Sequence, residues 1–587
     1  AAQAERNAML LDDLIAHVDA GEFKAARASI DRVLARGKLN PDQRRAFEFE
    51  AERMHRIELD FSLSEQQARD KVRAKVPDLR PEEFAAWDAA GLLEHRVIDG
   101  SKRYFNRAPS NLFRLSERAR ARRAEQTPFN DGPLEKPHPH HREIRDAALA
   151  THRTSVAPRH VRITQTIAVE PDAVPAGETV RAWIPFPRAL PGQQEDIRYI
   201  ASDPAQHTIA PESTLQRTVY FERPAAAGKP TTFSVTYELT IFGQYHSIDP
   251  EKVTRVEPTR ELAEHMGERP PHIVFTDDLR KFSREVVGNE RNPYRIAEKL
   301  FHAVDRIPWA GALEYSTLRN ISDYALKAGH ADCGQQTLLL MALLRLNGIP
   351  ARWQSGMVFS DGDYDNLHDW GLLYLAPYGW VPMDVTFGKL DAGEAQLDMF
   401  YLGGLDAYRI AEKLFLAVDR IPWAGALEYS TLRNISDYAL KAGHADCGQQ
   451  TLLLMTLLRL NGIPARWQSG MVFSDGDYDN LHDWGQVYLA PYGWVPMDVT
   501  FGKLDAGDAQ LDMFYLGGLD AYRIAFNDDY SQPFAPPKQH FRSETVDLQR
   551  GEVEWRGGNL YFDKWDYTFK ANVSTRTSAH ALATSIR

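Results

Sequence analysis

Hydrophobic positions at the start of the chain recur with the spacing of a helix. Leu10, Leu14 and Val18 fall on one face, and a second stripe of the same period follows Gly21. Asp99-Gly100 has the composition of a tight hairpin turn between two short strands. The pattern predicts further helices over 64–75 and 81–90 and a hairpin over 93–105.

Residues 1–125 are therefore predicted to form a helical region. Two helices followed by a hairpin would also suit a winged helix, which is a DNA-binding shape. The net charge of −12 favours the other interpretation, in which this region is a helical module docked on the rest of the protein, because nucleic-acid binding is driven by basic surfaces.

The hydrophobic period changes to two beyond residue 158. Val161, Ile163 and Ile167 lie on one face of a predicted strand, and several similar strands follow, separated by Pro and Gly turns. Residues 158–250 are thus predicted to be a β-sandwich. The preceding segment, 126–157, is rich in Pro and His (137–141), and we predict a solvated linker there rather than a metal site, because no further ligand stands at a suitable spacing.

Helical and strand signals alternate in the second half of the chain, so the fold class is predicted to be α+β. The pattern predicts helices over 277–287, 293–304 and 332–346, then strands over 351–359, 368–375 and 380–384. Polar, strand-like sequence returns after residue 526, over 552–555 and 560–573.

A repeat of 114 residues dominates this half. Residues 294–407 recur as 408–521, and five pairs of positions differ. Old solenoid repeats are short and divergent, so this long, nearly identical pair favours a recent duplication or an artefact of sequence assembly. The differing pairs are His302/Leu416, Ala342/Thr456, Leu372/Gln486, Leu373/Val487 and Glu394/Asp508.

The repeat unit is not a complete domain. It begins inside a predicted helix and lacks the helix at 277–287, so either one copy is incomplete or the two share packing partners. An incomplete copy would expose apolar surface and could promote oligomerisation. The predicted boundaries are 251–407 for the first core copy, 408–525 for the second, and 526–587 for a C-terminal β segment.

Three residue types in each copy suggest nucleophilic chemistry. Cys333 opens an apolar helix, where the helix dipole favours a thiolate. His368 opens a strand, and Asp384 ends the next one, so neighbouring strands place an imidazole beside a carboxylate. The chain has only two cysteines, Cys333 and Cys447, and their spacing predicts two separate sites, although an oxidising compartment would permit a disulfide.

The residue strings around these positions make the signal more specific. Gly-x-x-x-Cys-Gly at 329–334, Leu-Arg-Leu-Asn-Gly-Ile-Pro-Ala-Arg at 344–352, His-Asp-Trp at 368–370 and Gly-Trp-Val-Pro-Met-Asp at 379–384 resemble the transglutaminase-like (papain-like) cysteine enzyme superfamily. The match covers roughly 277–390 and recurs to about 504, and the upstream regions look like those of bacterial multidomain members. The resemblance implies two Cys-His-Asp triads: Cys333, His368 and Asp384, and Cys447, His482 and Asp498.

The resemblance also implies the reaction. Such enzymes form a thioester from a glutamine carboxamide or peptide amide and pass the acyl group to an amine or to water. The backbone N–H of Cys333 is one expected oxyanion donor, and the indoles of Trp309 and Trp423 are candidates for the second, with a packing role as the alternative. We expect no cofactor and no metal, since the acidic residues lack a calcium-loop spacing.

One difference between the copies falls beside the predicted site. Residues i and i+4 of a strand share a face, so His368 lies with Leu372 and His482 with Gln486. The family often has an acidic or amide residue at this place. The second copy is therefore hypothesised to be the better catalytic unit, with a neutral exchange as the alternative.

Composition and the first residues of the chain narrow the expected partners and location of the protein. The longest apolar run, 338–344, is too short to span a membrane, and nucleic acid is not an expected partner. The first residues, Ala-Ala-Gln-Ala, suit a bacterial chain after removal of a secretory signal, so we expect a periplasmic or secreted protein. The expected partner is a protein or peptide substrate. The alternatives are a cysteine peptidase of the same fold acting on peptide or cell wall, and a non-catalytic scaffold.

Overall fold

The computed structural model describes residues 2–36, 38–129, 137–311, 313–359, 365–388, 402, 424–425, 436, 439, 444–459, 463–473, 480–502, 504, 506–512, 514–529 and 531–575. No helix within these ranges is both long and apolar enough to cross a membrane.

The first part of the chain is helical and carries the expected hairpin. Asn40 caps its helix through a reciprocal pair with Gln43, and Asp99 and Gly100 both have positive φ (47° and 81°), as a two-residue hairpin turn requires. The strands His95–Ile98 and Ser101–Tyr104 pair antiparallel around that turn. The helices are Ala2–Asp19, Phe23–Arg36, Pro41–Asp60, Glu65–Arg73, Pro81–Ala89, Ala108–Leu115 and Glu117–Ala121.

The prediction of a solvated linker over 126–157 is wrong for much of this segment. Pro139–Thr151 is a helix whose first turn holds the proline, and its His140 and His141 are buried. The His141 Nε2 atom lies 3.1 Å from the hydroxyl of Tyr515, and the His140 ring packs edge-on against Tyr522. The helix forms because its apolar face has a core to cover, which the local Pro/His composition does not reveal.

Two antiparallel sheets form a sandwich after this helix. One ring from each sheet, Phe221 and Phe233, meets between them at 6.1 Å. The first sheet has the order Trp565–Thr575, Ser155–Val169, Thr231–Gln244, Gln194–Asp203. The second has the order Gly558–Leu560, Glu552–Trp555, Thr179–Pro185, Thr218–Pro224, Thr208–Ile209.

The C-terminal strands complete both sheets of this sandwich. Trp565 pairs with Val169, and Val553 pairs with Ala182, nearly 400 residues away along the chain. The predicted division between a sandwich at 158–250 and a separate segment at 526–587 is therefore wrong. Pairing between such distant strands leaves no local signal in the sequence.

The repeat-bearing core lies between these parts of the chain. Short elements precede it: Pro250–Lys252, Arg260–Ala263 and Asp277–Val287. The first copy contributes Pro293–Asp305, Trp309–Ala310, Tyr315–Thr317, Ile321–Lys327, Ala331–Asp332, Cys333–Leu346, Ala351–Phe359, Asp365–Leu375 and Gly379–Gly388. The second contributes Ala424–Gly425, Cys447–Leu458, Arg466–Phe473, His482–Leu489, Gly493–Gly502 and Ala509–Asp512, and Arg523–Asn527 follows it.

Both copies of the repeat lie at one position. The rings of Tyr374 and Tyr488 coincide, as do those of Trp380 and Trp494. The backbone N–H of Asp249, which occurs once, meets the hydroxyls of Tyr378 (3.2 Å) and Tyr492 (2.6 Å). Two sets of atoms cannot fill one volume, so these contacts can belong to only one copy in any one molecule.

Each copy of the repeat forms the same sheet. In the first copy, strand Ala351–Phe359 pairs antiparallel with Asp365–Leu375, which pairs with Gly379–Gly388. The corresponding strands of the second copy pair in the same way, and Arg523–Asn527 adds an edge strand beside Arg466–Phe473. In either copy, the core is a buried helix packed on an antiparallel sheet, with three paired strands in the first copy and four in the second.

Candidate active site

The candidate nucleophile stands at the first turn of a well-capped helix. Asp332 accepts a hydrogen bond from the backbone N–H of Gln335, and the Gln335 side chain accepts one from the N–H of Asp332. All residues of the helix Cys333–Leu346 are buried, so its apolar run serves as core. This fixed N-terminus places partial positive charge beside the Cys333 sulfur, which favours a thiolate.

The strand after the helix brings an imidazole to the thiol. The Cys333 sulfur lies 3.9 Å from the carbonyl oxygen of Leu367, immediately before His368 in the same copy. In the second copy, the sulfur of Cys447 and a ring nitrogen of His482 lie within 4.8 Å of each other. The rings of His368 and His482 coincide, so the imidazole of either copy occupies this place.

A carboxylate from the next strand orients the imidazole. The Nε2 atom of His368 lies 2.7 Å from Oδ2 of Asp384, and both side chains are buried. The Nδ1 atom of His368 has no hydrogen-bond partner among the described residues. Holding Nε2–H against the carboxylate therefore leaves Nδ1 as the nitrogen free to take a proton from the thiol.

The carboxylate is itself fixed by backbone and by an arginine. Oδ1 of Asp384 accepts from the N–H groups of Thr386 and Phe387, both at 3.1 Å. Nη2 of Arg523 lies 2.5 Å from Oδ2 of Asp384, and Nε of the same arginine lies 2.6 Å from Asp520. Arg523 is 1% exposed, so it acts as a buried counter-charge behind the His–Asp pair.

The electrostatic surroundings keep the imidazole neutral at rest. Burial, followed by the positive charge of Arg523, holds the pKa of His368 well below its usual range. Burial opposes the charge on Arg523 itself, but the carboxylates of Asp520 and Asp498 outweigh this and raise its pKa. A neutral imidazole beside a thiol is the form that accepts a proton.

Burial disfavours the charged form of two acidic groups near the sulfur. Burial raises the pKa values of Asp332 and Asp483 well above their usual range. The hydroxyl of Tyr315 donates to Asp332 at 2.7 Å and also contacts Asp483. A shift towards the neutral form weakens the repulsion between these carboxyl groups and a thiolate, so the aspartates are compatible with a nucleophilic Cys333.

A pocket of about 230 Å³ opens over the thiol. It draws residues from four parts of the chain, since the segment 544–550 and Arg107 from the N-terminal helical part also line it. Its polar wall includes Glu314, Asp547 and Arg550, and Nη2 of Arg550 lies 2.6 Å from Glu314. The thiol, 4% exposed, therefore faces a polar chamber large enough for a side-chain amide.

The second copy places its residues on the same site. Oδ1 of Asp498 accepts from the N–H groups of Thr500 and Phe501 at 3.1 Å, as Asp384 does in the first copy, and Nε2 of His482 lies 2.5 Å from Oδ2 of Asp498. The Cα atoms of Cys333 and Cys447 are far closer than the roughly 4.4–6.8 Å of a disulfide, so they mark one shared position rather than a crosslink. The prediction of two separate cysteine sites is wrong for this reason.

The oxyanion candidates differ in what the structure describes. Trp309 lines the pocket that contains Cys333, and the guanidinium of Arg114 stacks over its ring at 4.9 Å. Trp423 lies outside the described residues. Cys333 opens its helix, so its N–H is one of the four that have no partner within a helix.

The exchange of Leu372 for Gln486 acts beside the site rather than in it. Gln486 is fully buried, and its Oε1 accepts from the guanidinium groups of Arg466 and Arg352. Arg352 has Leu372 as its cross-strand partner in the first copy, and burial lowers its pKa to about 9. The second copy therefore supplies a partner for a buried arginine that the first copy lacks.

Sequence reasoning missed several residues that surround the site. Arg523 and Gln549 lie outside the repeat, and the Gln549 amide donates to the carbonyl of His482 at 2.7 Å. The one available signal was the third Tyr-Arg-Ile-Ala tetrapeptide at 522–525, which carries Arg523. No signal in the sequence pointed to Gln549, because it belongs to a segment far from the other site residues along the chain.

Groups of side chains with metal-binding spacing occur here, but each combines both copies. Among the described residues, the sets are Cys333, Cys447 and His482, the two cysteines with Asp369 and Asp483, and the two His–Asp pairs. Since only one copy fits at a time, each set reduces to at most two ligands. A structural metal site generally needs about four.

Comparisons with known proteins agree with the sequence motifs. The family model of the transglutaminase-like superfamily matches residues 280–385 and again 403–499. A solved structure of a candidate cysteine protease from Cytophaga hutchinsonii is 15% identical, with a TM-score of 0.20 over 26% of this chain. The match spans 53% of that protein, about half its length. No curated protein matches the chain.

Proposed function

Because residues 280–385 and 403–499 belong to the transglutaminase-like superfamily, we propose that the protein is a cysteine-dependent acyl transferase or amidohydrolase. Its substrate is a glutamine carboxamide or a peptide amide. The observation that carries this proposal is the meeting of a helix N-terminal thiol, an imidazole and a carboxylate beneath an open polar pocket.

In this proposal, each group has one step. Nδ1 of His368 takes the thiol proton, and the thiolate of Cys333 attacks the carbonyl carbon of the substrate amide. The imidazolium returns the proton to the leaving nitrogen, and a thioester remains on the sulfur. Asp384, held by two backbone N–H groups and Arg523, orients the imidazole and stabilises its charged form. Cys447, His482 and Asp498 take these roles when the second copy is in place.

The thioester has two fates. An amine gives a new amide bond, and water gives a carboxylate, so one intermediate serves both transferase and hydrolase. A cysteine peptidase of the same fold would use the same residues on a peptide bond. A glutamine peptide incubated with a labelled primary amine separates these outcomes: label incorporation indicates transfer, release of ammonia alone indicates deamidation, and chain cleavage indicates a peptidase.

The decisive control is the double variant Cys333→Ala, Cys447→Ala. We expect it to fold, since Ala removes one small buried atom, and to lose all turnover. Retained activity in the double variant would refute a cysteine nucleophile. A thiol that reacts with iodoacetamide at pH 6 no faster than a free cysteine would support a non-catalytic role instead.

A further inference from the structure

His265, which lies outside the repeat, contacts the same position of both copies. The carbonyl of His265 accepts from the N–H of Ala351 at 3.2 Å and from that of Ala465 at 3.3 Å. The ring of His265 likewise packs edge-on against both Trp380 (5.5 Å) and Trp494 (5.3 Å). His265 occurs once, so the two copies compete for the same hydrogen bond and the same ring contact.

The same competition occurs at the site. Arg523 forms ion pairs with Asp384 and with Asp498, although these carboxylates belong to different copies. Asn527, on the edge strand, donates to Ser469 and also contacts Ser355, the equivalent residue of the first copy. The counter-charge and the edge strand that finish the site are therefore present once per chain.

Part of the repeat unit is described in both copies. The helices Pro293–Asp305 and Ile321–Lys327 belong to the first copy, whereas the helix Ala509–Asp512 belongs to the second. What the structure describes twice is the middle of the unit, which runs over 330–388 in the first copy and over 444–502, apart from 460–462 and 474–479, in the second. We call these two stretches the middle segments.

We propose that each chain assembles a single active site, completed by either middle segment, while the other middle segment is excluded from the core. Cys333 and Cys447 are then alternative nucleophiles at one place rather than two catalytic centres. Each occupancy leaves out the same length of chain, one repeat of 114 residues, so neither choice is blocked by chain length.

Thiol labelling measures the number of sites. The reduced full chain is treated briefly with iodoacetamide at pH 6, where an ordinary thiol is almost entirely protonated, and is then digested with trypsin. The peptides 328–345 and 442–459 differ at Ala342 and Thr456, so their masses report each cysteine separately. We expect the rapidly labelled fractions to sum to one per chain. A sum of two overturns the proposal.

Hydrogen exchange tests exclusion without relying on the proposed chemistry. Peptides from the two cysteine helices should show protected fractions that sum to one, because a helix outside the core loses its tertiary packing. Full protection of both helices overturns the proposal. If no cysteine labels rapidly but the protected fractions still sum to one, the proposed function fails and the single core stands.

Two deletions form a matched pair of controls. Removing 389–502 leaves the first middle, and removing 330–443 leaves the second, with every single-copy partner retained. Each shortened chain should keep one rapidly labelled cysteine and the protected helix of its remaining copy. A loss of folded structure in both would show that the two middles are needed together, which contradicts exclusion.

Discussion

Replacing Arg523 by Met is expected to destabilise the core by about 3–5 kcal/mol, the cost of removing one partner from a buried ion pair. The guanidinium is 1% exposed and lies between Asp520 and the carboxylate of the site, both fully or almost fully buried. Met retains much of the side-chain volume, so lost packing contributes little. A loss of about 4 kcal/mol lowers the folded-to-unfolded ratio by roughly a thousandfold, against a typical stability of about 5–15 kcal/mol.

A double-mutant cycle isolates the electrostatic part. Asp520 occurs once, and Oδ2 lies 2.6 Å from Nε of Arg523, so the variants Arg523→Met, Asp520→Asn and their combination form a clean cycle. Urea unfolding of the four proteins, followed by tryptophan fluorescence, gives the coupling energy. We expect at least about 1 kcal/mol, because Asn no longer needs the lost cation.

The chain offers its own control for this prediction. Arg295 occupies the same place in an identical tetrapeptide, but it pairs with Glu251, whose side chain is 73% exposed. Arg295→Met should cost at most about 1 kcal/mol, as for other surface ion pairs. Equal losses from Arg295→Met and Arg523→Met, or strict additivity in the cycle, would refute the assignment of Arg523 as the buried counter-charge.

Three further variants test other parts of the site. Burial raises the pKa of Asp547 to about 8, so the folded protein holds a proton that the unfolded chain releases above about pH 4. The free energy of unfolding should therefore fall by up to about 1.4 kcal/mol per pH unit between these two values. Asp547→Asn should flatten that slope in urea titrations at pH 5–8. Gln486→Leu removes an acceptor for a buried guanidinium but also an unpartnered amide nitrogen, so we expect a net loss of about 1 kcal/mol for the second copy. This loss should shift rapid iodoacetamide labelling about fivefold from Cys447 towards Cys333. An unchanged labelling ratio would mean that the exchange of Leu372 for Gln486 is neutral. Trp309→Phe keeps the ring but not the indole N–H, so kcat should fall about 10²–10³-fold if Trp309 holds the oxyanion, whereas unchanged kcat would assign it to packing.

Local signals in the sequence located much of the site. The cysteine helix was predicted over 332–346 and is Cys333–Leu346, since the Asp332 cap and the apolar run that follows are local features. Strand 351–359 was also placed correctly, because Gly348 and Pro350 end the preceding helix. The spacing of Cys333, His368 and Asp384 suggested a shared site because strands that follow a helix pack against it.

Local signals in the sequence could not predict contacts between distant segments. Gln549 reaches the site from a segment that has no motif, and the pocket wall formed by Asp547 and Arg550 arrives in the same way. The helix Pro139–Thr151 was read as a linker because its burial depends on Tyr515 and Tyr522, more than 350 residues further on.

The sequence by itself determined the repeat, the α+β class and the residue types of the site, because these follow from local identity and periodicity. Only the tertiary structure decided which secondary structure an identical tetrapeptide forms. Tyr-Arg-Ile-Ala begins a helix at residue 294, where Asn292 caps the backbone and Pro293 opens the first turn. At residue 522, the same tetrapeptide leads into an edge strand, where Ile524 pairs with Met471 and Arg523 enters the site. Four residues carry too little local preference to resist their surroundings, and for the same reason two nearly identical segments compete for one core: the surrounding groups that complete it exist only once.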